Sequence, residues 1–187
     1  MKTIFLIFLL FPPYLLGQDL TFYKEDITFT LGTNHFTVDG LYWFANRANK
    51  SCESLIYYPY GINSTTENVD SMEITNVSEN SIPKIVGKDK NGFLFLLRLL
   101  ANDTIVYHIK YMQNIASDSV RYILTSTQQW NRALEYADYK LIVDKKFIIT
   151  KFSYKPDTVN NMENAKIYSW TKTNFMPYFD MVFHFGK

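Results

Sequence analysis

Phe36-Thr37-Val38-Asp39-Gly40-Leu41-Tyr42-Trp43-Phe44 alternates with a period of two. Phe36, Val38, Tyr42 and Phe44 share one face with Gly40, while the other face begins polar at Thr37 and Asp39 and turns apolar at Leu41 and Trp43. A helix, with its period of 3.6, would scatter these side chains; a strand gathers them. The stretch predicts a strand with one face buried and half of the other covered.

The same period extends outward along the chain. Residues 20–23 and 26–31 read as strand, and Gly32 opens the turn that leads into Phe36. Residues 54–58 are a strand stopped by Pro59, and 61–70 form a polar loop. Segments 72–77 and 82–87 are strands, and 88–92 is a hairpin turn in which Asn91-Gly92 tolerates positive φ. Residues 93–100 are apolar except Arg98 and predict a central strand buried on both faces. Residues 105–112 alternate, and 120–127 are rich in β-branched side chains. Trp130, Leu134 and Ala137 fall at helical spacing and predict a short helix over 130–138. Segments 139–143, 147–154, 167–170 and 180–185 supply further strands. About ten strands with short polar turns and one short helix give an all-β fold. An antiparallel β-sandwich is expected, with a closed β-barrel as the alternative.

Residues 1–17 read as a secretory signal peptide: Lys2, an apolar run from Ile4 to Leu10, and a small residue at Gly17. A spanning helix needs about 20 apolar residues, and Pro12 and Pro13 interrupt this run. Cleavage after Gly17 leaves residues 18–187 as a single domain, secreted or periplasmic. Later apolar runs are too short to cross a bilayer, so no transmembrane segment is expected in the mature chain.

The formal net charge is +1, and losing Lys2 brings it to about zero. Basic residues are scattered rather than gathered into a patch, which argues against nucleic-acid binding. Cys52 is the only cysteine, so the fold cannot depend on an internal disulfide and must stand on its core. The 15 Phe, 14 Tyr and 3 Trp are numerous enough to supply that core. Few glycines beside abundant Asn, Lys, Ile, Tyr and Phe favour a bacterial exported protein. Sequons begin at Asn49, Asn63, Asn76 and Asn102 and matter only in a eukaryotic secretory pathway.

The run from Val38 to Asn46, the strand ending Tyr57-Tyr58-Pro59-Tyr60, the segment 122–130 and Asn174-Phe175-Met176-Pro177 together resemble bacterial exported β-sandwich proteins of unknown function, of Bacteroidetes-like type. The resemblance implies a fold and a compartment, and it brings no active site with it.

No catalytic motif, metal-ligand spacing or cofactor loop occurs, so no catalytic residue, metal or cofactor is assigned. His35, His108 and His184 lack a ligand partner at metal-binding spacing. Cys52 has no flanking nucleophile signature. Asp39, Glu53, Asp70, Glu73 and Glu135 are possible members of a glycosidase pair, which requires a set separation in space. The best binding candidates are Tyr57, Tyr58 and Tyr60, because three tyrosines around Pro59 cannot all point inward from an alternating strand. Trp130, at a strand-to-helix junction, is the next. The expected function is an exported, non-catalytic β-sandwich module that binds or assembles with an envelope or extracellular component, protein or polysaccharide. The alternatives are a small extracellular hydrolase acting on a polymer, or a eukaryotic secreted glycoprotein.

Overall fold

The computed structural model describes residues 20–62 and 68–186. Residues 1–17, read from sequence as a signal peptide, and the sequon asparagine Asn63 lie outside the described residues. The strands are β1 (Leu20–Leu31), β2 (His35–Asn46), β3 (Cys52–Pro59), β4 (Val69–Asn76), β5 (Ile85–Asp89), β6 (Gly92–Leu99) and β7 (Thr104–Asn114). They are followed by β8 (Ser119–Tyr122), β9 (Leu134–Asp144), β10 (Ile148–Phe152), β11 (Thr158–Asn161), β12 (Ala165–Phe175) and β13 (Met181–Gly186). A 3₁₀ helix, Thr125–Trp130, separates β8 from β9.

One seven-stranded sheet, ordered β11-β12-β9-β1-β2-β7-β4, forms the first layer. Two three-stranded sheets, β3-β6-β5 and β10-β13-β8, form the second. Ring contacts fix how the layers stack. Tyr58 of β3 meets Tyr42 of β2 and Tyr111 of β7, and Phe95 of β6 meets Tyr107 of β7. Phe183 of β13 meets Phe29 of β1 and Phe36 of β2, and Phe152 of β10 meets Trp170 of β12. Both small sheets thus cover one face of the large sheet, and aromatic rings fill the space between. The architecture is a β-sandwich with open sheets; it is not the closed barrel.

The deciding stretch lies in β2 as its alternation requires. Phe36, Val38, Tyr42 and Phe44 are buried, and Thr37, Asp39, Leu41 and Trp43 are half-buried on the outer face. Gly40 makes room for the Tyr42 ring, whose atoms lie 2.7–2.9 Å from where a Cβ on residue 40 would stand.

Four local expectations change. Residues 131–138 are not helical. Leu134 begins β9, and Ala137, Tyr139, Leu141 and Val143 are buried in alternation, so the period of two overrides the coincidental helical spacing. The one short helix comes earlier, at Thr125–Trp130. β1 and β9 pair in parallel inside an otherwise antiparallel sheet. The chain between them is long enough to make that crossover.

The strand around residues 93–100 is buried on one face only. Phe93, Phe95, Leu97 and Leu99 are buried, whereas Leu94 and Leu96 are half-buried beside an exposed Leu55, because no further layer covers that side. The hairpin at 88–92 forms where expected but without positive φ at Asn91 or Gly92. The Asp89 carboxylate instead accepts the backbone N–H groups of Asn91 at 2.8 Å and Gly92 at 3.0 Å. Glycine is needed at 92 because a Cβ there would meet the Tyr58 carbonyl oxygen at 2.3 Å.

Loop ends are tied by buried asparagines. Asn46 donates to the Lys50 and Leu100 carbonyls, both at 2.8 Å, and accepts from the Ala48 N–H at 3.1 Å. Asn46→Ala would remove three hydrogen bonds made by one buried side chain, so a stability loss of about 2 kcal/mol is expected in chemical denaturation. Asn76 is equally enclosed: its amide donates to Glu79 at 2.8 Å and accepts the Glu79 N–H at 3.2 Å. A glycan on Asn76 is incompatible with this fold, whereas Asn49 and Asn102 are exposed.

Candidate functional site

The charged pair Lys24-Glu25 falls between the strand segments 20–23 and 26–31 read from sequence, yet it runs through the middle of β1. A bulge between Phe22 and Lys24 shifts the register against β2. Its consequence is that Phe22 and Glu25, three residues apart, both face inward. From Glu25 onward the alternation is regular: Glu25, Ile27, Phe29 and Leu31 are buried. Glu25 is 1 % exposed and is the one buried carboxylate among the described residues.

Glu25 lies where the three sheets converge. Tyr139 of β9 donates its hydroxyl to Oε1 of Glu25, and Tyr122 of β8 donates to Oε2 at 3.2 Å. Tyr42 of β2 lies 3.3 Å from the Tyr122 oxygen and 2.6 Å from that of Tyr58 on β3. Among the described residues no cation pairs with Glu25. Burial therefore dominates its acidity and pushes the carboxyl up from 4.5 to about 7, against the two phenol hydrogen bonds, which favour the ionised form. The four tyrosines of this network are pushed well above 10, first by burial and then, for Tyr42, Tyr122 and Tyr139, by the Glu25 charge.

An ionised Glu25 fixes the direction of the Tyr122 and Tyr139 hydroxyls, and one arrangement of the others then makes every close oxygen pair a hydrogen bond. In that arrangement Tyr122 donates to the carboxylate, Tyr42 donates to Tyr122 and Tyr58 donates to Tyr42. The relay ends on the Tyr58 oxygen, whose lone pairs receive no hydrogen from the described residues.

A cavity of about 50 Å³ adjoins this network. Glu25, Tyr42, Tyr58 and Tyr122 contribute polar atoms, and Phe22, Phe44 and Trp130 contribute aromatic wall. Trp130, at the end of the 3₁₀ helix, packs its ring 6.0 Å from Phe22 and 5.6 Å from Phe44. Half-exposed Tyr57 lies at the rim.

Of the residues singled out from sequence, Tyr57, Tyr58 and Trp130 line this one cavity. Tyr60 does not; it is buried against Phe93 and Tyr111. Tyr58 and Tyr60 are 7 % and 4 % exposed, so they do not form an exposed aromatic surface, and only Tyr57 projects outward. Tyr60 escapes the alternation because it lies beyond the end of β3, where the chain turns inward at Gly61.

The other titratable candidates are dispersed. His35 pairs with Asp70 at 3.2 Å, and His108 and Lys110 both hold Asp39, at 2.7 and 3.1 Å. Partial burial raises the Asp39 carboxyl, but hydrogen bonds from His108 and Lys110 outweigh it and hold the group below its ordinary value. Arg98 pairs with Glu53, and Arg47 with Glu135 at 2.8 Å. Glu73 is exposed on β4. His184 is half-buried on the face of β13 opposite Phe183 and Phe185. Cys52 is half-buried and packs against the core. Among the described residues no group of three or more His, Cys, Asp or Glu is placed to hold a metal ion, and no helix is long and apolar enough to cross a membrane.

No protein-family model matches the chain, and no curated protein matches it by sequence. Solved structures resemble it in fold. A protein of Legionella pneumophila provisionally named a nutrient binding protein aligns with a TM-score of 0.70 at 11% identity, over 89% of this chain and 67% of that one. An M1 zinc metallopeptidase of Deinococcus radiodurans aligns with a TM-score of 0.53 at 10% identity, over 90% of this chain and 43% of its own. A two-domain M1 zinc metallopeptidase variant bound to L-tryptophan aligns with a TM-score of 0.54 at 9% identity, again over 43% of its length. The chain spans less than half of these peptidases, and at such identities the likeness is one of fold alone.

Proposed function

We propose that this protein is an exported, non-catalytic binding module that holds a chemical group of an extracellular or envelope component in the cavity beside Glu25. The observation that carries the reading is a buried carboxylate, without a cation among the described residues, at the wall of an aromatic-lined cavity with a half-exposed rim. Burying such a group costs stability unless something compensates it, and binding sites are where that cost has a use. The lining offers one carboxylate without a second acid or a nucleophile-base pair beside it, which favours binding over polymer hydrolysis. The fold shared with a protein named for nutrient binding supports the same reading. Export rests on the N-terminal segment read from sequence.

A thermal-shift screen of amines, amino acids, short peptides and oligosaccharides tests this, with Tyr57→Ala as comparator. At least one class is expected to raise the melting temperature saturably, and Tyr57→Ala to weaken that ligand about tenfold, the effect of losing one aromatic wall contact. A screen without any saturable shift, or a ligand indifferent to Tyr57→Ala, sinks the proposal.

A further inference from the structure

We propose that the group held in this cavity is a primary ammonium, carried on an alkyl stem such as a lysine side chain or a peptide N-terminus. The inference rests on the binding-module reading and adds the ligand's chemistry.

Hydrogen-bond direction carries it. With Glu25 ionised and every close oxygen pair hydrogen-bonded, the hydroxyl hydrogens of Tyr58, Tyr42, Tyr122 and Tyr139 are all committed within the relay that ends on the carboxylate. What this network can still offer is lone pairs, on the Glu25 oxygens and on Tyr58. On the Glu25 side the cavity therefore accepts and does not donate, and its buried negative charge repels anions and favours a cationic ligand made only of donors. An ammonium has three N–H donors and no acceptor. Size agrees: about 50 Å³ exceeds the 10–15 Å³ that one water requires, and suits a few heavy atoms. The aromatic wall agrees as well, since Phe22, Phe44 and Trp130 present rings to a cation and to its methylene stem. The ammonium would supply the countercharge that no described residue gives Glu25.

The same geometry predicts a pH signature. The groups facing Glu25 are Tyr139 from β9, Tyr122 from β8, and Tyr42 and Tyr58 beyond it, all pushed well above 10. The 3₁₀ helix contributes Ser126, Thr127 and Trp130, none of which titrates there. Between about pH 5 and pH 9 Glu25 alone changes charge in the cavity, near 7.

The test is calorimetric titration with butylammonium chloride at about pH 8.5, against butanol and sodium butyrate as neutral and anionic probes of the same length. Saturable binding of butylammonium is expected, with both controls at least tenfold weaker. Affinity should fall about tenfold per pH unit below roughly pH 7, as Glu25 takes up its proton. Glu25→Gln should abolish the preference over butanol, and Tyr58→Phe, which removes the terminal acceptor but keeps the ring, should weaken butylammonium several-fold. Nα-acetyl-lysine amide and leucinamide then distinguish a side-chain amine from an α-amine. Butanol binding as well as butylammonium, no saturable binding of butylammonium, or affinity unchanged in Glu25→Gln overturns the inference. A neutral sugar found in the cavity by the thermal-shift screen would overturn it too, while leaving the binding-module reading intact.

Discussion

Glu25→Gln is expected to remove a loss of stability that the wild-type protein suffers between about pH 5 and pH 8. The Glu25 carboxyl rises from 4.5 in the unfolded chain to about 7 in the fold, chiefly through burial. Between those values the folded state holds a proton that the unfolded state has released, so stability falls as pH rises. Below about 4.5 both states are protonated and the fold keeps the full contribution; above about 7 both are ionised and the loss is complete. Over the interval from about pH 5 to pH 8 the linkage amounts to roughly 2.5 kcal/mol. The substituted side chain carries no charge, and its amide can still meet the Tyr122 and Tyr139 hydroxyls. Denaturation curves for the two proteins should therefore separate with pH, and the variant should be the more stable relative to wild type at the alkaline end. Subtracting the curves cancels the surface His35–Asp70 and His108–Asp39 pairs, which both proteins share. Parallel curves across the interval would mean that Glu25 is solvated or paired in the folded protein. A bound ammonium should hide the effect, because its charge favours ionised Glu25; the measurement belongs on protein stripped of ligand.

Much of the fold was legible because burial in a sandwich repeats with the pleat. Phe36 to Phe44 and residues 105–112 carry that repeat openly, and both became strands of the large sheet. Where two periods compete, a short window misleads. Trp130, Leu134 and Ala137 satisfy a helix, but Ala137, Tyr139, Leu141 and Val143 satisfy a strand over more residues, and pairing with β1 and β12 decides it. The parallel pairing of β1 with β9 leaves no local trace, since it depends on where distant segments dock.

The candidate site was legible in part. Tyr57, Tyr58 and Trp130 could be found as aromatics crowded at strand ends, although their convergence on one cavity is tertiary. Glu25 escapes the sequence reading because Lys24-Glu25 falls in the gap between the strand segments 20–23 and 26–31. The available signal was parity: Ile27, Phe29 and Leu31 define an inward face, and two residues before Ile27 stands Glu25. Alternation alone still could not place Phe22 on the same face, because that needs the bulge.

Gly61→Ala is expected to cost about 3 kcal/mol, at the upper end of what overpacking usually costs, and to spoil the site at the same time. Gly61 follows β3 just where the chain crosses β8. A Cβ at this position would stand 1.7 Å from the Arg121 carbonyl oxygen and 2.5 Å from its carbon. Both are backbone atoms of a paired strand, so no flexible side chain can yield. The same crossing is tied by the Arg121 guanidinium, which donates to the Ile62 carbonyl at 2.6 Å. The methyl group must therefore push β3 away from β8, parting the two small sheets along the seam where Tyr58 and Tyr122 approach Tyr42. For a chain of this length the cost corresponds to a melting temperature lower by roughly 6–12 °C. Gly87→Ala is the matched control: Gly87 lies in exposed β5 with nothing within 4 Å of a new Cβ, so its effect should stay within about 0.5 kcal/mol. If the sheets part as this geometry requires, Gly61→Ala also weakens whatever ligand the cavity takes, whereas Gly87→Ala leaves that affinity alone. A Gly61→Ala protein melting within about 2 °C of wild type would mean that β3 and β8 are not in backbone contact at this crossing, and that the cavity between their tyrosines is built differently.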